Sequence, residues 1–306
     1  MTPQKRTPTL GGARAVRHTF GNQIAVETKL ADDILTHTGL AVTPVADGSI
    51  RRFDHPDKGR GNKRVWYSCR HDFGCWGVWG LIDTRYIFPD ADPDPETARK
   101  ARERAEEAKH ERQAERERQQ ALTASLCRSE WPTLPRPNPA HPYALRKRVE
   151  PLGLRQKGTL LVVPLTDGER LVNFQTIDHD GGKRFRPGGR VKGCYHPIGA
   201  IHDDQPLLVC EGWATGATLN MATGYPVACA MNAGNLRAVA ESLRTRYPAI
   251  TIIVCGDNDH QTAGNPGVTK AKEAAAAVGG RCIWPEAAEG VTDFNDLALA
   301  GGEVQL

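Results

Sequence analysis

Three acidic residues stand directly after two apolar segments of the sequence. Glu211 follows "PLLVC", and Asp257 and Asp259 follow "AITIIV" within "CGDNDH". Apolar runs of this length predict buried parallel strands, and ligands of open α/β sheets bind beyond the carboxyl ends of such strands. If the two strands are neighbours, the three carboxylates share one rim. There they repel one another, so they require a cation or raised pKa values.

This combination of residues predicts a site for a hard divalent cation. Oxygen ligands without a nearby Cys/His pattern favour Mg²⁺ or Mn²⁺ over zinc. Such an ion suits phosphoryl or nucleotidyl transfer, because it neutralises phosphate charge and orients the attacking oxygen. The structural alternative is that Asp257 and Asp259 form a turn and Glu211 caps a helix. The order of both motifs on the right strands favours the metal site.

A further acidic motif, "TDFND", places Asp293 and Asp296 in the first turn of a predicted helix. Two interpretations stay open for it. The carboxylates could cap the helix, or they could supply a second or water-mediated contact to the metal.

The elements that must position these acids alternate along the final third of the chain. Each predicted strand is followed by a predicted helix, which is the order of a doubly wound parallel sheet. The strands are "PLLVCEG", "YPVACAM", "AITIIVCGDND" and "GRCIWP", and the helices are "WATGATLNMATG", "GNLRAVAESLRTRYP", "GVTKAKEAAAAVG" and "TDFNDLALAGG". The fold class is therefore α/β, with a four-stranded parallel sheet and flanking helices.

Upstream of this unit, changes in composition predict three more segments. We expect a small β module (1–92), a charged linker helix (93–130) and a small basic α+β subdomain (131–203), followed by the α/β unit (204–306). The five prolines of "WPTLPRPNPAHP" end the helix, because proline cannot continue it. Paired strands joined by the turn "TDGE" are predicted for "TLLVVPL" and "RLVNFQTID".

The linker helix is predicted to be solvated. Its apolar residues up to position 121 are all alanine, and i,i+4 charge pairs such as Arg99–Glu103 run along it. We interpret it as a spacer. A nucleic-acid-binding arm is the alternative, and the alternating charge signs argue against that.

Charge is distributed unevenly along the chain. Between Arg146 and Lys192 there are 11 Lys/Arg against 5 Asp/Glu, whereas from Asp203 to the end there are 6 against 12. A basic strip beside an acidic unit suggests a polyanion held next to a metal pocket. No segment resembles a signal peptide or a membrane span, and several cysteines lie in apolar runs. We therefore expect a cytoplasmic protein with reduced thiols and no membrane partner.

The basic strip contains the segment "GGKRFRPGGRVKG", which predicts a glycine-punctuated loop or ribbon. Its cations could contact nucleotide or template phosphates. These residues are Lys183, Arg184, Arg186, Arg190 and Lys192. Phe185 could stack on a base or lie in the core, and the core is the more common place for a phenylalanine.

The N-terminal module raises the question of zinc. His55, Cys69, His71 and Cys75 could ligate Zn²⁺, although their spacing is not a standard one. A metal-free β module held together by its tryptophans is the alternative. The basic residues of this module, interleaved with Trp66 and Tyr67, suit single-stranded DNA. They are Arg51, Arg52, Lys58, Arg60, Lys63 and Arg64. Residues 1–26 show no strong pattern, and "ADDILTHTGL" predicts a short helix.

The motifs "LLVCEGWATG", "IIVCGDND" and "TDFNDL" together resemble the TOPRIM domain, over about residues 205–300. TOPRIM is the Mg²⁺-binding module of DnaG-type primases, of type IA and type II topoisomerases and of some nucleases. The resemblance implies that Glu211 is a general acid/base or metal ligand and that Asp257 and Asp259 bind metal. It implies, less directly, that Asp293 and Asp296 complete the site.

The upstream segments favour one TOPRIM class. The ribbon around Lys183 resembles the basic subdomain that precedes TOPRIM in DnaG-type primases of phages, plasmids and integrative elements. This implies a DNA-directed nucleotidyltransferase that makes short RNA primers from ribonucleoside triphosphates on a single-stranded DNA template. The implied cofactor is Mg²⁺ or Mn²⁺, with Zn²⁺ possible, and the implied partner is a separate replicative helicase, since the chain has no phosphate-loop motif. The alternatives are a TOPRIM-type Mg²⁺-dependent nuclease and an inactive single-stranded-DNA-binding replication accessory protein.

Overall fold

The computed structural model describes residues 13–88, 95–286 and 288–305. The chain divides into two compact units, Met1–Glu111 and Arg112–Leu306. The predicted boundary near residue 92 lies outside the described residues. No helix in the described ranges combines the length and the apolar character that crossing a membrane requires.

The N-terminal unit contains one long helix and a four-stranded antiparallel sheet of order β1-β2-β3-β4. Val26, Leu30 and Ile34 of the helix are fully buried against Tyr67 and Trp76 of the sheet. The elements are α1 (Ala13–Thr38), β1 (Ile50–Phe53), β2 (Val65–Cys69), β3 (Gly74–Val78) and β4 (Ile82–Ile87). The small β module predicted from the sequence is present as this sheet.

Helix α1 begins far earlier than the sequence indicated. The short helix expected at 31–40 is the end of a 26-residue helix, so the absence of a pattern in 13–26 was misleading. The physical reason is that Val26, Leu30 and Ile34 recur every four residues and fix the helix against the sheet. Extending an existing helix is far easier than starting one, so weakly patterned residues can join it. Residues 1–12 lie outside the described part of the chain.

Helix α2 (Pro95–Glu130) has 36 residues and is therefore about 54 Å long. Its exposed part carries the predicted ion pairs, with Arg99 Nη1 2.7 Å from Glu103 Oε1. The last turns differ from the predicted solvated helix. Cys127 is fully buried with Leu134, Val162 and Phe174 in a small apolar cluster. The prediction of a solvated helix thus holds for the charged stretch and not for the C-terminal turns, which are packed within the C-terminal unit.

The first half of the C-terminal unit is a short helix with a second antiparallel sheet of order β5-β6-β7-β8. The predicted hairpin is present as β6 and β7, which pair from Leu161↔Ile177 to Thr166↔Leu171. The elements are α3 (Pro142–Lys147), β5 (Arg155–Lys157), β6 (Leu160–Thr166), β7 (Leu171–Ile177) and β8 (Lys183–Phe185).

The second half is a five-stranded sheet of order β13-β12-β10-β11-β9 with helices on both faces. Four strands are parallel, as the alternation of elements predicted, and β9 pairs antiparallel with β11. The strands are β9 (His196–Ile198), β10 (Leu207–Cys210), β11 (Val227–Cys229), β12 (Ile252–Cys255) and β13 (Arg281–Ile283), and the helices are α4 (Trp213–Thr223), α5 (Leu236–Arg246), α6 (Pro266–Ala277) and α7 (Phe294–Leu299).

Strand β9 is the correction to the predicted four-stranded sheet. It comes from the segment assigned to the basic subdomain and makes the sheet mixed rather than purely parallel. The edge of β11 would otherwise leave a row of unpaired backbone groups, and β9 satisfies them through the Cys229↔His196 and Val227↔Ile198 pairs. The sequence of β9 is "HPI", which contains a proline and no apolar run, so it was not recognised as a strand.

Candidate active site

The two strands that end in acidic residues are neighbours. Strands β10 and β12 pair in parallel, with Cys210 opposite Cys255. Glu211 and Asp257 therefore leave the same edge of the sheet from adjacent strands, whose spacing is about 4.8 Å. Helix α4, which begins just after Glu211, packs closely against the sheet because Gly216 has no side chain. A Cβ there would lie 2.3 Å from Cys229 Sγ.

Asp257 is the most perturbed acid of this edge. Its Oδ1 is buried and has no hydrogen-bond partner. Its pKa is raised from 3.8 to about 8, first by burial and then by the charges of Glu211, Asp293 and Asp259, while Lys183 opposes the shift. A buried carboxylate oxygen that accepts no hydrogen bond lowers the stability of the folded state. A cation at this edge would remove both the unsatisfied oxygen and the repulsion.

Glu211 shares this environment. Burial raises the pKa of its carboxyl group, and Asp259 and Asp293 raise it further. The Lys183 ammonium and a hydrogen bond from the Ala233 backbone N–H act in the opposite direction and favour the ionised form. The carboxyl group therefore lies within reach of the other acids, as the proximity of β10 and β12 requires.

Asp259 and Asp293 complete the acidic rim, and hydrogen bonds engage one oxygen of Asp259 and both oxygens of Asp293. Asp259 Oδ2 accepts a hydrogen bond from the Gly267 N–H at 3.0 Å. Asp293 is the N-cap of α7, where it accepts from the Asp296 N–H, and its Oδ2 accepts from the Thr215 hydroxyl at 3.2 Å. Asp293 thus caps a helix and also acts on the pKa of the rim carboxyl groups.

Asp296 lies in a different environment, although the sequence placed it with the metal ligands. Its Oδ1 is 3.2 Å from Lys147 Nζ, and its Oδ2 accepts from the Thr292 hydroxyl at 2.9 Å. Burial acts to raise the pKa of Asp296, but the Thr292 hydrogen bond and the Lys147 ammonium outweigh it, so the pKa is lowered. Both oxygens are therefore occupied, Oδ1 by the contact that joins α7 to α3 and Oδ2 by a local contact at the start of α7.

Lys183 is the predicted basic residue that lies at the acidic rim. Its Nζ is 3.4 Å from the position that a Cβ on Gly212 would take, and its charge lowers the pKa of Glu211 and Asp257. An exposed cation beside clustered carboxylates can contact a phosphate that a divalent ion brings to the same place.

The other residues of the basic ribbon have separate environments. Arg186 forms an ion pair with Glu130 of α2, which raises the pKa of Arg186. Arg190 Nη1 lies 3.9 Å from Asp167 Oδ2, and Arg184 and Lys192 are exposed. The side chain of Phe185 packs against the main core cluster, so the structure favours the core interpretation for it.

Two contacts at the site were not expected from the sequence. Thr215 donates to Asp293, and Lys147 pairs with Asp296, a residue 149 positions away in the chain. The position of Thr215, one helical turn after Glu211 in "EGWATG", was the available signal for the first contact. No sequence signal marked Lys147, because its partner is close only in the tertiary structure.

The donor set of the rim fits Mg²⁺ better than a metal with a closed protein cage. Within the described ranges, no three His, Cys, Asp or Glu side chains are arranged as a ready-made metal-binding group, and this includes the rim. Mg²⁺ keeps several waters and is usually held by one or two carboxylates together with substrate phosphates. An oxygen-only rim with the unsatisfied Asp257 Oδ1 meets that requirement.

The four zinc candidates of the N-terminal module do not meet in the structure. Cys69 pairs with Gly74, and Cys75 pairs with Ser68, so the two thiols project from opposite faces of the sheet. Cys69 is fully buried in the core, and burial raises its pKa to about 12, whereas a zinc ligand must be a thiolate. His71 is exposed, and His55 Nδ1 accepts a hydrogen bond from the Asp57 N–H. The geometry therefore favours the metal-free module.

Replacing each of these cysteines with serine distinguishes the two models. Cys69→Ser places a hydroxyl in the apolar core and is expected to destabilise the N-terminal unit by about 1–3 kcal/mol. Cys75→Ser, on the other face, is expected to change stability by no more than about 0.5 kcal/mol. Denaturant unfolding of both variants, with and without a zinc chelator, measures this. Equal losses that a chelator reproduces in the unsubstituted protein would contradict the metal-free model.

Only some of the residues predicted to contact DNA in the N-terminal module have side chains that are free to do so. Tyr67 is fully buried in the core, so it cannot stack on a base. Arg51 pairs with Asp47 at 2.8 Å. Trp79, in contrast, has 57% of its surface exposed and lies under Arg52, whose Cζ is 5.7 Å from the ring centroid. An exposed ring beside a cation is a suitable surface for an unstacked base.

Comparison with known proteins agrees with this geometry. The family model of the "Toprim domain" matches residues 206–303. A curated "DNA primase TraC" of Escherichia coli is 37% identical over 281 residues, which is 84% of this chain and 26% of that protein. A second "DNA primase TraC" of Escherichia coli is 33% identical over 201 residues, which is 62% of this chain and 13% of that protein.

Among solved structures, "a DNA primase domain from Pseudomonas aeruginosa" matches with 17% identity and a TM-score of 0.34, over 49% of each chain. The chain spans about a quarter of the length of the first curated relative. Residues 206–303 therefore match the Toprim-domain family, and over most of its length the chain is similar to one part of the first DNA primase TraC.

Proposed function

We propose that this chain is the primer-synthesising part of a DNA primase of a mobile element. It would join ribonucleotides into short RNA primers on single-stranded DNA by Mg²⁺-dependent nucleotidyl transfer. The observation that carries the proposal is the buried, unsatisfied carboxylate of Asp257 beside Glu211 and Lys183 at the end of adjacent parallel strands. The relationship to the TraC primases supports the choice of reaction.

In this proposal Glu211, Asp257 and Asp259 would hold the divalent ion together with water and substrate phosphate, one or two of the carboxylates directly, and Asp293 would add negative charge to the same rim. When bound, the ion supplies charge neutralisation at the transferring phosphate. Asp296 keeps its place beside Lys147 and contributes through the position of α7. Thr215 and the α7 backbone hold Asp293 so that its charge faces the other carboxylates.

Glu211 has a second possible task in the same reaction. Its carboxyl group has a raised pKa, and a carboxyl group with a pKa moved toward neutrality is suited to take a proton from an attacking hydroxyl. The raised pKa and the metal-ligand role both follow from the burial of Glu211 among other acids.

Lys183 would contact the phosphates of the incoming nucleotide. Lys183→Met is expected to lower primer synthesis by about 10²-fold, because a charge-assisted contact in a partly desolvated site contributes about 2–3 kcal/mol. Lys192→Met is the matched control, since Lys192 is an exposed residue of the same ribbon. Steady-state primer synthesis at varied nucleotide concentration measures both variants. An equal loss in the two variants would show that the ribbon acts only through its overall charge.

The N-terminal module would hold the template through Trp79 and Arg52, with the neighbouring basic residues contacting phosphates. The remaining ribbon cations, Arg184, Arg190 and Lys192, would attract nucleotide and template only through their charge at longer range, so each is expected to contribute much less than Lys183. A replicative helicase would have to be supplied from outside these 306 residues, because they contain no phosphate-loop motif.

The decisive experiment supplies single-stranded DNA, labelled ribonucleoside triphosphates and Mg²⁺ to the purified chain. The proposal expects labelled products shorter than the template that are sensitive to alkali. Shortened template without labelled product would instead identify a Toprim nuclease. Template binding with neither product would identify an accessory protein, and Glu211→Gln would then leave that binding unchanged.

A further inference from the structure

The C-terminal unit contains a groove that the proposed chemistry does not use. It has a volume of about 1020 Å³ and is formed by the segment 131–139, the end of α3, the turn 149–155 and one residue of α4. A smaller cavity of about 290 Å³ shares Arg148 and Met221 with it, so the depression continues toward α7.

Large apolar side chains in this groove are exposed. Leu145, Leu152 and Met221 have 60%, 71% and 63% of their surface accessible, and all three line it. They come from α3, from the turn after it and from α4, so tertiary folding brings them together. A cluster of exposed apolar side chains of this kind is typical of a surface that another protein covers.

The charged residues of the groove are mostly basic. Arg136, Arg148 and Arg155 line it, against a single acid, Glu150. The complementary ligand therefore combines large apolar side chains with negative charge.

A nucleic acid fits these residues less well than a peptide does. Single strands bind through exposed aromatic faces on which bases stack. The ring of Trp131 is only partly exposed and packs against Phe174, with ring centroids 5.6 Å apart, so it offers a base less of its face than the exposed Trp79 does. The other apolar residues are aliphatic and offer no stacking surface.

The groove is separated from the acidic rim by the length of α4. Gly212, next to Glu211, caps the start of this helix, whereas Met221 lies near its end. Trp213 and Met221 are eight positions apart, which corresponds to about 12 Å along the helix axis. Substitutions at the groove can therefore be made without touching the residues assigned to metal or phosphate.

We propose that this groove binds an acidic peptide segment of a partner protein, one that carries large apolar side chains. Its apolar residues would cover Leu145, Leu152 and Met221, and its carboxylates would meet the three arginines. This inference concerns binding alone and does not depend on the proposed primase activity.

Fluorescence anisotropy with defined probes tests the inference. The first probe is a labelled amphipathic peptide of three to four helical turns, with Leu and Phe on one face and Glu on the other. The other probes are an isomer with scrambled order, a version with Lys for Glu, and a labelled oligothymidylate. The first peptide is expected to bind at least about tenfold more tightly than the scrambled and the lysine peptides, with an affinity that falls as salt increases.

Two variants locate the binding surface. Leu152→Ser combined with Met221→Ser is expected to weaken binding of the acidic peptide at least about tenfold, and Arg136→Glu combined with Arg148→Glu at least about fivefold. The replaced apolar side chains are exposed, so their substitution leaves the core intact, and circular dichroism checks this. Unchanged peptide binding in both variants would overturn the inference. Loss of oligothymidylate binding in these variants, without any preference for the acidic peptide, would also overturn it and assign the groove to nucleic acid.

Discussion

Asp257→Asn is expected to lower primer synthesis by about 10³-fold. Asparagine has nearly the same shape as aspartate, so the substitution removes the charge and leaves the packing after β12 in place. Losing a metal-ligating carboxylate removes several kcal/mol of transition-state stabilisation, and about 4 kcal/mol corresponds to about a thousandfold in rate. Primer yield from labelled nucleotides measures the activity, and Mn²⁺ titration calorimetry measures the binding of the ion independently.

Glu241→Gln is the matched control for this experiment. Glu241 lies on α5, where it forms an exposed ion pair with Arg237 at 2.7 Å, so its substitution also removes one negative charge from the C-terminal unit. We expect the control to keep full primer synthesis and unchanged Mn²⁺ affinity. If Asp257→Asn retained both properties as well, the assignment of the acidic rim as a metal site would be wrong.

The stability of the metal-free protein is expected to fall as pH rises from about 4 to about 8. Asp257 has a pKa of about 8 in the folded chain against an ordinary value of 3.8. Between these two values the folded state holds a proton that the unfolded state has released, so stability decreases with increasing pH. The stabilising effect of the protonated form is complete below the unfolded pKa and is lost as pH passes the folded pKa.

Thermal unfolding in EDTA at a series of pH values measures this slope for the C-terminal unit. Asp257→Asn is expected to flatten the slope and to raise the unfolding temperature at pH 8, because the amide carries no charge to be buried. Excess Mg²⁺ is expected to flatten it in the unsubstituted protein, because the ion stabilises the ionised rim. A slope that is identical in both proteins, with and without Mg²⁺, would show that Asp257 does not titrate in this way.

The contribution of Asp296 to stability is expected to depend on pH in the opposite direction from that of Asp257. Its pKa is lowered through Thr292 and Lys147, so its contribution to stability is present at neutral pH and is lost in acid. Ionised Asp257 therefore destabilises the folded, metal-free chain, whereas ionised Asp296 stabilises the contact between α7 and α3. The sequence "TDFND" shows the position of Asp296 but not this difference.

Local sequence determined the strands and helices of the final third, because apolar runs and glycine boundaries are signals within a few residues. It also determined that Glu211 and Asp257 follow the ends of two strands and that the side chains there are carboxylates. The order of the motifs was also sufficient to indicate the TOPRIM resemblance.

The tertiary structure alone decided which of the candidate residues meet. The pairing of β10 with β12 brings Glu211 to Asp257, and the approach of β8 brings Lys183 to both. The same packing commits Asp296 to Lys147 and turns Cys69 and Cys75 to opposite faces of their sheet. These outcomes depend on strand order, pairing register and contacts between distant segments. A list of residue types and spacings does not contain that information, because the energy of each contact arises only when the chain has folded.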